Sequence, residues 1–128
     1  LARVPVDGGW VATPLPATGF GLWGTATSVW VAGSQGLVAR VVDGGVTLTG
    51  PGLAFTWYGV WAADDTHVYL AGTDTATKLV GWLAEWDGYA WKTVTPTGAT
   101  TLFNAVHGEG ALDPWAVDGD GWLWHLEP

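Results

Sequence analysis

Asp64-Asp65-Thr66-His67 sets two carboxylates and an imidazole side by side. Carboxylate oxygens and an imidazole nitrogen can together hold a divalent cation, which makes Asp64 and Asp65 weak metal candidates. A turn is the preferred reading, with aspartate satisfying loop N–H groups. His67 would then open the following strand, its ring directed away from both carboxylates. Asp118-Gly119-Asp120-Gly121 resembles the acidic half of a calcium loop, so Asp118 and Asp120 form a second weak pair. No glutamate follows at the distance that closes such a loop, and a hairpin turn is again preferred. No metal and no cofactor is expected. Three histidines and two serines are enough to compose a nucleophilic triad with an aspartate. However, Ser28 and Ser34 lack the G-x-S-x-G surroundings of a nucleophile elbow. His107 stands where the other repeats carry tryptophan and is read as packing, and His125 is a separate strand position. A hydrolase, or any enzyme, is therefore the least expected class.

The tryptophans carry the sharper chemistry. There are eleven in 128 residues. An indole offers a flat apolar face and one N–H donor, a surface on which the C–H groups of a sugar ring stack while a nearby carboxylate accepts its hydroxyls. Trp10 beside Asp7 and Trp91 beside Asp87 are equivalent in the repeat described below. Two such pairs would make shallow, multivalent glycan sites. The competing reading fills gaps between sheets with these rings. Trp30, Trp61 and Trp115 are placed in the core. Lys78 lies in a lengthened loop, residues 73–80, a candidate for protein contact because variable loops on a rigid frame carry recognition.

These residues have to be positioned by short elements rich in Val, Trp, Tyr and Leu and separated by Gly, Asp, Thr and Pro, the composition of strands and turns. A fixed order of elements recurs about every 40 residues. Leu22-Trp23-Gly24, Val60-Trp61-Ala62 and Val106-His107-Gly108 come first. Trp30-Val31-Ala32-Gly33, Tyr69-Leu70-Ala71-Gly72 and Trp115-Ala116-Val117-Asp118 come second, and Gly36-Leu37-Val38-Ala39, Gly81-Trp82-Leu83-Ala84 and Gly121-Trp122-Leu123-Trp124 third. Predicted first strands are 21–24, 58–62 and 105–108, and second strands 29–33, 68–72 and 115–118. Third strands are 37–42, 81–86 and 122–126, and fourth strands 46–49 and 91–95. Residues 1–16 repeat the third-and-fourth-strand portion, because Val6-Asp7-Gly8-Gly9-Trp10 matches Trp86-Asp87-Gly88-Tyr89-Ala90-Trp91. Asp-Gly between strands signals a type I′ hairpin, which requires positive φ at both central residues. Each fourth strand runs into proline (Pro14, Pro51, Pro96), as suits a sheet edge. The second strands are apolar on both faces, so sheets should cover them on both sides.

Composition narrows the partners. The formal charge is −8 with only four lysines and arginines. That excludes the basic stripe a nucleic-acid backbone needs and argues against anionic membrane surfaces. No apolar run reaches the 18 or so residues of a spanning helix. Cysteine is absent, which is compatible with an oxidising compartment. Methionine is absent too, position 1 included, so a processed or excised piece of something longer is expected.

The expected fold is all-β: about three four-stranded antiparallel blades of a β-propeller, closed by oligomerisation or by the rest of a longer chain. The whole of 1–128 is one propeller segment: 1–16 a partial blade of third and fourth strands, 20–51 and 55–97 blades, and 102–128 a partial blade of first to third strands. Three blades cannot surround an axis, and the open faces would be large apolar patches.

The residues also resemble a known repeat, the bacterial, myxobacterial-type propeller repeat of the VWG … DVWAVG … DG-x-x-W kind. Leu22-Trp23-Gly24 and Val60-Trp61-Ala62 resemble its first element. Val29-Trp30-Val31-Ala32-Gly33 and Asp113-Pro114-Trp115-Ala116-Val117-Asp118 resemble the second, Gly121-Trp122-Leu123-Trp124-His125 the third, and Asp87-Gly88-Tyr89-Ala90-Trp91 the fourth. The chain departs where the family's aspartate becomes Ser28 and His67 and its first-element tryptophan becomes His107. The resemblance implies an exported propeller, at the cell surface, outside the cell or in the periplasm, with a binding role and no reaction. The expected function is a non-catalytic binding module, lectin-like or protein-recognising, acting through loops and the Trp/Asp pairs. The alternative is a structural scaffold within a larger extracellular complex. Its partners would be further blades, from a homo-oligomer or a longer chain, and a glycan or protein ligand.

Overall fold

The computed structural model describes the backbone of Val4–Pro5 and all of residues 9–126. It is all-β, with no α-helix among the described residues. A two-stranded ribbon pairs β1 (Val4–Pro5) with β2 (Val11–Ala12). Three antiparallel meanders follow. The first sheet runs β3 (Gly19–Gly24), β4 (Val29–Gly33), β5 (Val38–Val42), β6 (Gly45–Leu48). The second runs β7 (Phe55–Asp64), β8 (His67–Asp74), β9 (Gly81–Trp86), β10 (Trp91–Val94). The third has three strands, β11 (Phe103–Gly108), β12 (Pro114–Asp118) and β13 (Leu123–His125). The strands fall where the repeat places them, and β6 and β10 are sheet edges.

Turn chemistry accounts for the hairpins. Asp43 and Gly44, between β5 and β6, have φ of 51° and 79°, the paired positive values of a type I′ turn. The second Asp-Gly closes differently. Only Gly88 has positive φ there, and the Asp87 carboxylate accepts the N–H groups of Tyr89 and Ala90 at 2.8 Å. The two extra residues before Trp91 make that loop too long for a two-residue turn. The first strands share a feature the sequence reading missed. Each skips a residue near its start, at Phe20, Tyr58 and Asn104, and β7 skips a second, Ala63. A bulge increases local twist.

The sheets stack in order, with β3, β7 and β11 side by side. Glycine permits this approach. A methyl group on Gly21 would lie 3.0 Å from the Tyr58 carbonyl oxygen, and one on Gly59 3.1 Å from Ala105 Cα. The core between the first two sheets contains Trp30, Ala32, Val38, Trp57, Val60, Val68 and Leu70. A smaller core between the second and third gathers Ala71, Phe103 and Ala116, with Leu83, Val106 and Trp124 against it. Trp30 and Trp61 are buried as expected. Trp115 is not: it is half-buried, because the register that turns Ala116 and Trp124 toward the second sheet turns Trp115 to the opposite face.

Strand register makes the sheet faces comparable position by position. The row Leu22–Val31–Ala39–Leu48 on the first sheet corresponds to Val60–Leu70–Ala84–Thr93 on the second and to Val106–Ala116–Trp124 on the third. Val60 is 5% exposed against the first sheet; its equivalent Leu22 is 69% exposed. On the opposite faces Val38 is 1% exposed, whereas its equivalent Leu123 on the third sheet is 62% exposed. The middle sheet is covered on both sides, and each outer sheet leaves one apolar face open.

Candidate functional site

The two carboxylates of Asp64-Asp65 are drawn apart by their partners. Asp64 accepts the Thr66 N–H at 2.8 Å and lies 2.9 Å from His67 Nδ1. The ring of His67 therefore turns toward this carboxylate rather than away from it, because Asp64 and His67 are cross-strand partners on either side of the Asp65-Thr66 turn. The His67 and Thr66 hydrogen bonds bring the Asp64 pKa down to about 2. Asp65 instead reaches across to the first sheet. It accepts hydrogen bonds from Thr25 Oγ1 and Trp30 Nε1, each at 2.9 Å, and from the Thr27 hydroxyl, and Arg40 Nη2 lies 3.1 Å away. Burial pushes its carboxyl up, but the donors from Thr27, Trp30 and Thr25 outweigh this and hold it well below the usual carboxylate range. Asp65 is an inter-sheet clamp.

Asp118 and Asp120 also separate. Asp118 accepts the N–H groups of Asp120 and Trp122 and the Trp124 indole N–H, each at 2.9 Å, while Asp120 accepts the Thr100 hydroxyl at 2.6 Å. Among the described residues no group of three or more His, Cys, Asp or Glu side chains converges on one point. Ser28 Oγ accepts Arg40 Nε at 2.8 Å, and Ser34 meets Thr18. His107 sits against Trp23 and Trp61, with centroids 5.0 and 5.7 Å away. His125 stacks on Trp115 at 3.8 Å and pairs with Asp113. No serine faces a histidine among these contacts.

The two Trp/Asp pairs meet different fates. Asp7 lies outside the described residues. Trp10 is 76% exposed. Trp91 is wedged between the first two sheets, against Trp30 and Trp86 at 6.4 and 5.3 Å, with its indole N–H donated to Thr49 Oγ1 at 3.0 Å. Asp87 caps its own turn, and the Ala90 and Tyr89 N–H groups lower its pKa. Lys78 stands at φ 60° in a loop held by Asp74, whose carboxylate accepts the N–H groups of Thr77, Leu79 and Val80. That order holds Leu79 and Val80 out in solvent.

Sequence reasoning missed two features. One is a cleft of about 310 Å³ between the second and third sheets, lined by Tyr69, Leu83, Val94, Val106, Trp124 and Leu126 among others. The other is a chain of polar contacts from each sheet to the next. Trp30 donates to Asp65 in the β7–β8 turn. Its equivalent Tyr69 donates its hydroxyl to the Ala111 carbonyl in the β11–β12 turn. The third equivalent, Trp115, has a buried Nε1 with no hydrogen-bond partner among the described residues. Equivalence of aromatic position was legible in the repeat; the acceptors, some 35 to 42 residues further along, were not. No described protein family, curated protein or solved structure matches this chain.

Proposed function

We propose that the chain is a run of β-propeller blades acting as a non-catalytic protein-interaction scaffold, its two open flanks covered by further sheets of the same kind. The observation behind this reading is the contrast at equivalent positions: Val60 is 5% and Leu22 69% exposed. A residue type selected for burial on one sheet and repeated in the open on the next marks an interaction face. The bacterial propeller-repeat resemblance supports the same reading and extends it to residence outside the cytoplasm. Protein is preferred to carbohydrate because the Trp91 ring is occupied in sheet packing and the Asp87 carboxylate in turn capping. The 74–80 loop, ordered by Asp74 and tipped by Lys78 and Leu79, is a second place for protein contact.

Leu22→Asp tests the reading. Its site is open in the isolated chain, so folding should be retained. Associated species, seen by native mass or light scattering, should fall at least tenfold in affinity, since a carboxylate would be buried against an apolar face. An associated mass that ignores Leu22→Asp and its counterpart Leu123→Asp would overturn it.

A further inference from the structure

Trp91 occupies a defined place: the fourth strand of the second sheet inserts it into the gap toward the first, where it meets Trp30, Trp86 and Thr49. By strand register, the equivalents of these three neighbours in the next gap are Tyr69, Leu126 and Val94. All three line the cleft between the second and third sheets. The cleft is thus the Trp91 position of the next repeat, beside a sheet that has three strands among the described residues and an open edge at β13.

Trp10 is the repeat equivalent of Trp91, since both follow the Asp-Gly hairpin motif. It immediately precedes strand β2, which reaches β3 through residues 13–18 with Pro14 and Pro16. In the same way β6 reaches β7 through residues 49–54 with Pro51, and β10 reaches β11 through 95–102 with Pro96. β2 is therefore built as the fourth strand of the sheet that precedes the first. It is held by only two residue pairs with β1, and the ring of the preceding Trp10 lies in solvent.

We infer that two copies of this chain exchange β2. The Trp10–Ala12 segment of each leaves β1, pairs along β13 of the other and seats Trp10 in the other's cleft. The deduction rests on the propeller reading above. The exchange stacks the open Leu22 face of one copy on the open Leu123 face of the other, and is reciprocal. Two copies then make a closed ring of six sheets, within the four to eight blades over which propellers close. It also brings the β3–β4 turn, residues 25–28, to the third sheet, where the buried Trp115 N–H would find its acceptor as Trp30 and Tyr69 do.

The chain has no cysteine, so cross-linking tests this directly. In the register of β10 on β9, Thr13 pairs with Leu123, as Val94 pairs with Leu83. Thr13→Cys protein is mixed with Leu123→Cys protein under mild oxidation. The expected product is a mixed disulfide dimer at about twice 13.4 kDa, because cross-strand neighbours lie within disulfide reach. Trp10→Ala should raise the dimer dissociation constant about a hundredfold or more, the loss of a buried indole, while the monomer stays folded because Trp10 is largely exposed there. A native mass of one chain, or a dimer in which the mixed disulfide does not form, overturns strand exchange. If that dimer is still lost on Leu22→Asp, the stacked-sheet reading survives and only the exchange falls; if Leu22→Asp is also without effect, both fall.

Discussion

Asp65 shows how one carboxylate can hold two sheets in register. Three donors and Arg40 converge on it from the first sheet, although it belongs to the second. The same donors place its folded-state pKa below the roughly 3.9 of an unfolded aspartate. A depressed carboxylate stabilises the fold fully above the unfolded value, and that contribution is lost as pH falls through the folded value. Asp65→Asn, which mimics the protonated acid, should therefore cost about 1.5 kcal/mol at pH 7, a charged-acceptor figure discounted for a solvent-screened Arg40. Paired urea titrations should show this penalty shrinking below about pH 5 and disappearing only as pH falls through the folded value, well under that of an unfolded aspartate; a penalty independent of pH would contradict the clamp. In the sequence Asp65 stood out only as one half of an acidic pair. Its partners lie 25 to 40 positions away and become neighbours only when the sheets stack.

At the scale of elements, several strands depend on close backbone approaches that the sequence marks with glycine. At Gly72, which ends the inner part of β8, a methyl group would lie 2.0 Å from the Thr56 carbonyl oxygen; at Gly33 the same group would lie 2.0 Å from Thr18 O. Backbone atoms cannot step aside as a side-chain tip can. Gly72→Ala should therefore destabilise by about 3 kcal/mol, at the upper end for overpacking, and lower Tm by several degrees in a thermal melt. Gly24→Ala, with nothing within 4 Å of the added carbon, should be within about 0.5 kcal/mol of neutral. Equal effects at the two sites would contradict the close pairing of β7 with β8. The strands were legible because alternation, turn residues and repeat agree. The bulges at Phe20, Tyr58 and Asn104 were not, since a one-residue offset leaves the composition of a strand unchanged.

For the whole molecule, burial falls outward from the second sheet. Residues from Val68 to Thr73 in β8 are all buried, whereas Val11 and Ala12 of β2 and Leu123 of β13 are exposed. Local opening follows such gradients. Amide hydrogen exchange should be slowest in β8 and fastest in β2 and β13, and association through the open flanks should slow β4 and β12 more than β8. Exchange that is uniform across the sheets would contradict this. The repeated order of apolar, turn and proline positions was sufficient by itself to specify an all-β chain, its strands, its edges and its acidic, cation-poor surface, because these depend on local periodicity and counts. Which face of each strand is wet, which carboxylate clamps and which caps, and where the cleft opens were decided by the stacking of sheets. A residue's neighbours across a sheet interface depend on register and on the adjoining repeat, so Val60 and Leu22, alike in sequence context, end in opposite environments.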